Sequence, residues 1–563
     1  MNRLLSSRRE RRSSLDAAYK RLPNSLSLAI STGSSSSPKT QVKQESTTTV
    51  VPLTSPLHHQ NNNNNTTSTT TPKNIKNDTP KITTHHHHHH HHRQPRAVIE
   101  SIATGTPPKS REQTDVATQV ADLFGPTSPH ADRIPRLYAK TRIETRHRAV
   151  DPLDEDFDLS MPIRKRMDLF LEHAAPLAVQ VAQRAIDKAP SVSNPYEDIG
   201  LLVLVTSTGF VAPGVDVAVM RGLGLSPTVA RVVINFMGCA AAMNGIRTAA
   251  DYVLARHAEV YSPSQSSTTT GTGSTNNNKN PKKALVVCVE LSSVNGVFKP
   301  ELNDVIISSL FGDGCAALVL SARTDTSSSL LPGEISLQGS FSRLVEGTSD
   351  GITLGVNHDG ITCELSPALP KYIRSAVGGA VENVLRDHGL TKEEVTHWAI
   401  HPGGPKIIEE SLSSLGLSDD VARLSWEMLR RYGNMLSVSL PFVLQAMAAE
   451  VVSASTATTI TTATATTKTK KGEISTGVAF SFGPGITVEG VVFDISSGAN
   501  GSSESSGSLE STASSLSSAS LTTSSSSLAL ASEMEKGQSP VMVLDAGMLA
   551  DFSALGVCGS HMG

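Results

Sequence analysis

The 563-residue chain has few aromatic residues, few cysteines and almost no net charge. A formal charge of −3 lacks the excess of basic residues that nucleic-acid binding requires. No stretch of eighteen or more consecutive apolar residues is present, which gives no support to a membrane span. The five cysteines form no Cys-x-x-Cys pair and lie in apolar surroundings, which fits a reducing compartment better than a disulfide framework. We therefore expect a soluble protein without nucleic-acid or membrane partners.

Much of the chain also lacks the periodic apolar pattern of a folded domain. Residues 1–112 and 496–563 are rich in serine, threonine and asparagine, and such segments bury too little surface to offset the entropy of ordering them. Two polar inserts, residues 262–282 and 453–471, are interpreted as lengthened surface loops. The remaining residues predict two similar α/β halves, 113–325 and 326–495, between disordered extensions.

The N-terminal extension contains two features with more than one interpretation. Its arginines and serines are typical of an organelle transit peptide, but Glu10 and Asp16 interrupt the pattern, so we expect a cytoplasmic protein and keep organelle targeting as an alternative. The eight histidines His85–His92 would chelate a divalent metal, but a repeat expansion in disordered chain is the favoured interpretation. No metal site is predicted.

Periodic apolar patterns predict the elements of both halves. Short apolar runs bounded by polar residues are typical of buried strands, and apolar residues three and four apart are typical of helices. The predicted strands are Leu201–Thr206, Ala284–Val289 and Val395–Ile400; the predicted helices are Ala240–His257, Ile373–His388 and Lys406–Leu415; a hairpin is predicted from Ser475–Ser481 and Ile486–Asp494. This alternation predicts an α/β fold with a central sheet in each half.

The segment Val232–Met243 carries the strongest chemical signal, because an apolar strand leads into Cys239 and then into an alanine-rich helix. Amide dipoles at a helix N-terminus favour the thiolate, which is the nucleophilic form of cysteine. Free cysteines are more often small buried hydrophobes, so this segment alone leaves a structural role open.

Three further segments place glycines beside a residue of chemical or steric interest. His401 ends a predicted strand and is followed by a proline and two glycines, which stop a helix from continuing and let another group approach the backbone. Asn434 follows a glycine, and Phe311 precedes a Gly-Asp-Gly turn. Taken singly, each fits a structural histidine, a helix cap or a tight turn.

Taken together in chain order, these segments resemble the type III polyketide synthases, the chalcone synthase-like branch of the thiolase superfamily. The resemblance extends from about Arg133 to Asp494. Its five motifs are Met237-Gly238-Cys239, Leu310-Phe311-Gly312-Asp313-Gly314, Trp398 to Gly404, Tyr432-Gly433-Asn434-Met435 and Phe482-Gly483-Pro484-Gly485-Ile486-Thr487-Val488-Glu489. Five motifs in the family's order and spacing make a chance match negligible.

The resemblance implies an αβαβα-layered thiolase fold that works as a homodimer on coenzyme A thioesters, without a cofactor or an acyl carrier protein. It implies that Cys239 carries the acyl starter, that His401 holds the thiolate as an imidazolium partner, and that His401 and Asn434 donate hydrogen bonds to the malonyl thioester. Decarboxylative condensation with malonyl-CoA and cyclisation would give a phloroglucinol, resorcinol or alkylpyrone-type product.

The resemblance also implies further site residues. Three basic residues, Arg133, Arg136 and Lys140, match those that hold the CoA phosphates, although a solvated basic helix face is an equal alternative. The implied gate and cavity residues are Phe311, Cys363, Ser292, Asn295, Leu436 and Thr208.

Several of these positions depart from the plant pattern. Cys363 stands where plant enzymes carry a second gate phenylalanine, which should widen or redirect the cavity, as in microbial members that accept long acyl starters. Ser292 and Asn295 replace cavity threonines, and Leu436 replaces a serine. Ala212 replaces the methionine that plant dimers insert into the neighbouring subunit's cavity.

Two alternatives stay open at this point. An initiating ketoacyl synthase of fatty-acid synthesis uses the same Cys, His and Asn on the same fold, but its histidine segment reads His-Gln-Ala-Asn, unlike His401-Pro402-Gly403-Gly404 here. A catalytically inactive scaffold with disordered interaction arms would not need to keep a reactive thiol opposite an imidazole.

Overall fold

The computed structural model describes residues 94–125, 131–261, 280–296, 299, 301–324, 330–358, 360–460 and 474–497. The Arg/Ser-rich N-terminus, the histidine tract, nearly all of the C-terminal tail and most of each polar insert lie outside these residues. The expectations about them stay predictions.

Thirteen strands are present in the described part of the chain. They are β1 (Arg96–Gly105), β2 (Lys109–Glu112), β3 (Thr145–Arg148), β4 (Ile199–Thr206), β5 (Ala230–Asn235), β6 (Lys283–Leu291), β7 (Asp313–Arg323), β8 (Ile335–Leu344), β9 (Ile352–Asn357), β10 (Gly360–Leu365), β11 (Val395–Ile400), β12 (Ile474–Gly483) and β13 (Thr487–Ser496). The predicted strands and the predicted hairpin correspond to β4, β6, β11 and the antiparallel pair β12–β13.

The described residues form eleven α-helices. They are α1 (Gln113–Phe124), α2 (Ile134–Lys140), α3 (Ile163–Lys188), α4 (Pro195–Asp198), α5 (Val215–Gly222), α6 (Ala241–Tyr261), α7 (Leu302–Leu310), α8 (Leu369–Asp387), α9 (Pro405–Leu415), α10 (Arg423–Tyr432) and α11 (Ser439–Ile460). The predicted helices correspond to α6, α8 and α9 with small differences at their ends.

One sheet of nine strands joins the two halves, in the order β11-β12-β13-β8-β1-β7-β6-β4-β5. The sequence predicted a separate central sheet in each half. The two sets of strands meet because β1 pairs with β7 along its length and also with β8 at Val98–Ser336 and Ile99–Ile335. This link of two residue pairs makes the sheet continuous.

Strand β1 also corrects the predicted boundary of the N-terminal extension at residue 112. Ala97, Val98 and Ile99 are almost completely buried in the sheet, so the ordered part begins before that boundary. The apolar run is short and directly follows low-complexity sequence, and its strand partners in β7 and β8 lie far along the chain. Its burial therefore depends on contacts that a local pattern does not reveal.

Helices cover both faces of the strands and make five layers, as the resemblance implied. Alternate residues of β4 point to opposite faces: Val203 belongs to the central core with residues of α6 and α11, while Leu202 belongs to an outer core with residues of α3. Helices α8 and α9 cover the outer face of the C-terminal half. The αβαβα architecture places α6, and with it Cys239, at the centre of the molecule.

Helix α11 differs from expectation because it continues to Ile460, into the insert that was predicted to be a loop from residue 453. The segment Leu436–Ala454 is long and apolar enough to cross a membrane, and 56% of it is buried inside the protein. Leu440, Val443 and Leu444 of this segment belong to the central core. Its apolar surface is thus used in packing between the two halves.

Candidate active site

Cys239 lies in a short 3-10 turn, Gly238–Ala240, that connects β5 to the N-terminus of α6. Two hydrogen bonds fix this turn: the Gly238 amide donates to Ser207 Oγ (3.1 Å), and Ser481 Oγ donates to the Cys239 carbonyl (2.8 Å). The nucleophile loop is therefore tied both to the end of β4 and to β12. The strand-to-helix placement of the cysteine agrees with the sequence pattern.

Backbone strain is concentrated beside this loop. Phe236 and Leu436 both have positive φ angles, 59° and 49°, which bulky residues rarely adopt. Phe236 precedes the nucleophile turn, and Leu436 follows Asn434 by two residues. Such strain persists only where the surroundings over-determine the conformation, which is common at functional sites.

Asn434 brings its amide next to the thiol of Cys239. The sulfur lies 3.8 Å from Oδ1 and 3.9 Å from Nδ2 of Asn434. The amide is oriented on both sides, because Leu436 N donates to Oδ1 (2.8 Å) and Nδ2 donates to the Gly403 carbonyl (3.2 Å). Asn434 therefore connects the nucleophile to the loop that follows His401.

His401 lies at the end of β11, where its backbone amide donates to the Phe480 carbonyl of β12 (3.1 Å). The residue is only 2% exposed, and among the described residues neither ring nitrogen has a hydrogen-bond partner. A β-carbon at Gly403 would come within 2.9 Å of the imidazole, so a glycine is needed there for the ring to fit. The imidazole is thus buried and held by packing, with both nitrogens available.

Burial shifts the pKa of both groups. It raises the pKa of the Cys239 thiol well above its ordinary value, with a further rise from the neighbouring thiol of Cys363 and a smaller opposing effect of the hydrogen bond with Asn434. It lowers the pKa of His401 to about 3. Desolvation thus disfavours the charged form of each group taken alone. The thiolate–imidazolium ion pair stays a prediction.

Phe311 reaches the same place from α7. Phe311 and Asn434 form an isolated parallel bridge of the backbone. The backbone N–H of Asn434 donates to the Leu310 carbonyl (2.9 Å), and the backbone N–H of Gly312 donates to the backbone carbonyl of Asn434 (3.0 Å). Gly312 permits this approach, since a β-carbon there would lie 2.4 Å from the Tyr432 carbonyl oxygen. The backbone at Phe311, the predicted gate residue, is therefore fixed directly to Asn434.

A cavity of about 110 Å³ lies beside these loops. Its wall includes all six residues that the resemblance assigned to the gate and cavity: Thr208, Ser292, Asn295, Phe311, Cys363 and Leu436. Thr208 Oγ1 donates to Glu290 (2.8 Å) and Asn295 Nδ2 donates to the Thr208 carbonyl (2.8 Å), whereas the buried hydroxyl of Ser292 has no partner among the described residues. The wall therefore combines occupied polar groups with one free hydroxyl.

Cys363 contributes to this wall from β10, in a two-stranded sheet with β9. Burial, with a further contribution from the Glu364 carboxylate, raises the pKa of Cys363 to about 12. A thiol of this pKa is almost entirely protonated at pH 7. Cys363 therefore acts here as a small side chain at the gate position.

The three predicted CoA-binding residues lie on or next to α2. Arg133, Arg136 and Lys140 are all exposed, are spaced three and four residues apart, and share one face of the helix. Tyr138 of the same helix shares a hydrogen bond of 2.9 Å with Ser308, which lines the cavity. This basic face suits the phosphates of CoA; among the described residues no group of three His, Cys, Asp or Glu side chains is arranged to hold a metal ion.

Two buried residues at the site were missed by the sequence reasoning. Glu290 is completely buried and accepts hydrogen bonds from Ser207 N (2.9 Å) and Ser437 Oγ (2.6 Å). Burial raises the pKa of Glu290 to about 7 despite these bonds. A polar residue directly after the apolar run Ala284–Val289 was the available signal.

Arg146 is the second missed residue. It is 1% exposed and donates from Nη1 to the carbonyls of Ser308 and Phe311, 2.7 Å each, at the C-terminal end of α7. Burial lowers the pKa of Arg146 to about 9, and neighbouring Arg148 adds to the decrease. Arg146 stays charged at pH 7, and its hydrogen bonds fix the backbone at Phe311, the predicted gate residue.

Comparison with known families identifies both halves of the chain. Residues 84–260 match the N-terminal domain of chalcone and stilbene synthases, and residues 336–496 match the C-terminal domain of the same family. The first match begins before β1 and so agrees with the corrected boundary. The two matches together contain Cys239, His401 and Asn434.

Individual relatives point the same way. The chain is 52% identical over 405 residues to the alpha-pyrone synthesis polyketide synthase-like Pks18 of Mycobacterium tuberculosis, covering 71% of this chain and 91% of that protein. It is 27% identical to the 1,3,6,8-tetrahydroxynaphthalene synthase of Streptomyces peucetius, over 62% of this chain and 85% of the relative. The crystal structure of PKS-I from the brown alga Ectocarpus siliculosus superposes with a TM-score of 0.59 at 36% identity, over 71% of this chain and 99% of that one.

Proposed function

Since the chain belongs to the chalcone and stilbene synthase family and is a type III polyketide synthase, we propose that it extends a Cys239-bound acyl starter with malonyl-CoA and closes the product as an α-pyrone. The observation that carries the proposal is the meeting of Cys239, Asn434 and the His401 loop next to Phe311 and Leu436, which line a cavity. Members of this family use CoA thioesters as substrates. The family match favours this enzyme over an initiating ketoacyl synthase or an inactive scaffold.

The first step loads the starter onto Cys239. Burial disfavours a charge on either group alone, whereas transfer of the thiol proton to a free nitrogen of His401 creates a pair whose net charge is zero. This avoids the cost of an isolated buried charge. The thiolate attacks the acyl-CoA carbonyl, and the departing CoA sulfur takes the proton back from His401. The products are the acyl-enzyme and free CoA thiol.

The second step decarboxylates malonyl-CoA. Neutral His401 carries one ring N–H, and Asn434 carries its amide N–H, so both can donate to the malonyl thioester oxygen. Loss of CO2 places negative charge on that oxygen as an enolate, and each preorganised donor stabilises this charge by about 3 kcal/mol. The enolate carbon then attacks the acyl thioester on Cys239, the C–S bond breaks and the Cys239 thiolate leaves. The product is a β-ketoacyl-CoA, which reloads Cys239 as in the first step for the next extension. Phe311 presents an apolar wall there, which favours neutral CO2 over the carboxylate.

Cavity size supports closure after few extensions. Ligand pockets usually measure about 300–1,000 Å³, so about 110 Å³ leaves room for a short polyketide chain. A short chain closes through attack of an enol oxygen on the thioester that holds it: the C–S bond breaks, the enol proton passes to the departing sulfur, and the α-pyrone is released. This agrees with the printed description of the 52% identical relative. We propose that Cys363, smaller than the phenylalanine of plant enzymes at the second gate position, lets a long acyl starter extend past β10, outside the cavity of about 110 Å³ that holds the polyketide end.

We also propose that the protein works as a homodimer through β5. This strand is an edge of the nine-stranded sheet, yet Val233 is 49% exposed and the nearby Phe210 is 64% exposed. Phe210 stacks edge-to-face on Phe236 with ring centres 6.2 Å apart, which extends the apolar surface. Exposed apolar edges pair with other strands unless covered, and a second copy of β5 supplies a matching edge. Val233→Lys should yield a monomer in light scattering; a dimer that persists would contradict this interface.

The proposal is tested by incubating the purified protein with labelled malonyl-CoA and a series of acyl-CoA starters from acetyl to stearoyl, followed by mass spectrometry of the products. We expect alkyl-α-pyrones from long-chain starters. Resorcinols, naphthalenes or aromatic-starter products in their place would contradict the product class. Absence of CO2 release from malonyl-CoA would contradict the assigned catalytic residues.

A further inference from the structure

The hairpin β9–β10 forms one wall of the cavity, and the outer edge of β10 has no strand partner. Strand β10 pairs with β9 on one side only, in a two-stranded sheet. Leu354 of β9 and Ile361, Thr362 and Cys363 of β10 line the cavity. The position of this hairpin therefore sets the space around Cys363.

Two asparagine side chains occupy the free edge of β10. Asn303 Nδ2 donates to the Cys363 carbonyl (3.0 Å), and the Leu365 amide donates to Asn303 Oδ1 (3.1 Å). The Ile361 amide donates to Asn295 Oδ1 (3.2 Å). Residues 361, 363 and 365 are alternate positions on one strand, whose backbone groups point away from β9. The two amides thus take the place of a missing strand.

Asn303 connects this edge to the helix that carries the gate. It lies on α7, which ends at Leu310 directly before Phe311, and neighbouring Asp304 lines the cavity. Asn295 connects the same edge to the Thr208 carbonyl (2.8 Å) at the end of β4. The hairpin is consequently held against two elements of the cavity, once from each asparagine.

We propose that Asn303 is a specificity-determining positioning residue, which holds Cys363 at a fixed position in the cavity wall and thereby limits the length of the polyketide chain. This rests on the proposed function, because chain length is read from the polyketide product. Asn303 itself is not part of the cavity wall, whereas Asn295 is. Its effect on the product therefore acts through the β10 backbone.

The test compares Asn303→Ala with Asn303→Asp and the wild type. The alanine variant loses both hydrogen bonds; the aspartate variant keeps the acceptor for Leu365 N and loses the donor to the Cys363 carbonyl. We expect the amount of product with one additional malonyl extension, relative to the main wild-type product, to rise about fivefold in Asn303→Ala and less in Asn303→Asp. Each lost hydrogen bond modestly weakens the attachment of β10 to α7. Malonyl-CoA decarboxylation should stay within about twofold of the wild type.

Hydrogen exchange of residues 352–365 gives a readout that does not depend on the product class. Exchange should be faster in Asn303→Ala, and unchanged in the control Asn194→Ala, which removes an amide that caps α4 through Tyr196 N, outside the cavity wall. If exchange is faster in Asn303→Ala but the wild type makes no polyketide, the proposed function is contradicted, while the role of Asn303 in holding β10 is supported. Unchanged exchange, an unchanged product ratio, or a loss of decarboxylation in Asn303→Ala would each overturn the proposal.

Discussion

The two cysteines beside the cavity lie in regions that are built differently. Cys239 is in a turn tied to β4 and β12, next to residues in strained backbone conformations, at the N-terminus of the central helix α6. Cys363 is in a peripheral two-stranded sheet whose outer edge is held by side-chain amides. In the proposed function, the central turn that contains Cys239 thus performs the chemical steps, and the β9–β10 hairpin that contains Cys363 sets the space for the product. Mutations in the two regions should have separable effects.

The largest effect is expected from removing the nucleophile. Cys239→Ala should lower polyketide formation more than about a thousandfold, because the covalent acyl-enzyme is lost. Cys239→Gln should also make no polyketide but should keep CO2 release from malonyl-CoA, since the amide fills the acyl position. Both activities are measured with radiolabelled malonyl-CoA. A Cys239→Ala variant that still makes polyketide would refute the assignment.

A smaller loss is expected from removing the amide donor of Asn434. Asn434→Ala should lower malonyl-CoA decarboxylation about 100-fold to 1,000-fold, as for other oxyanion donors. The matched variant Asn434→Asp keeps an acceptor for Leu436 N and should fall as far, because it also lacks the N–H donor. Near wild-type CO2 release from the aspartate variant would show that this donor is not required.

The peripheral wall should respond in specificity and not in chemistry. Cys363→Phe should lower kcat/KM for long-chain starters about tenfold relative to short-chain ones, because one poorly fitting pocket contact costs about 1–3 kcal/mol. CO2 release should change little. Cys363→Ser is the size-matched control and should keep the wild-type preference. Equal starter profiles for all three proteins would mean that this position is no gate.

The smallest effect concerns Glu290, which joins the loops that carry Ser207 and Ser437. Its pKa of about 7 in the folded protein exceeds the value of 4.5 expected when exposed, so folding favours the protonated form. Protonated Glu290 makes its full contribution to the free energy of unfolding below about pH 4.5, and this contribution is lost as the pH rises to about 7. The Tm of Glu290→Gln minus that of the wild type should therefore increase by a few degrees between pH 5 and pH 8. Parallel Tm curves would exclude this linkage.

Local sequence patterns were sufficient to predict where the loops of Cys239 and His401 begin, and the resemblance was needed to predict their roles. Cys239 and His401 each follow a continuous apolar strand, and such strands have short, recognisable boundaries. Asn434 and Phe311 required the resemblance, because a glycine beside either residue fits an ordinary turn. The sequence does not reveal how completely the fold buries Cys239 and His401, and this burial opposes a charge on either group alone.

The parts that escaped prediction depend on partners far along the chain. Strand β1 is buried by β7 and β8, and its own ten residues carry a weak pattern. The β9–β10 hairpin was not predicted, and Asn303 gains its role from an edge some sixty residues later. Glu290 is explained by the loops that surround it in the folded protein.

Peptide mapping after incubation with a long-chain acyl-CoA shows which of the two thiols, Cys239 or Cys363, is the nucleophile. We expect an acyl thioester on the peptide that contains Cys239 and none on the peptide that contains Cys363, in the wild type and in Asn303→Ala alike. An acyl group on Cys363, or no acylation of Cys239, would contradict the division between a central catalytic region and a peripheral wall.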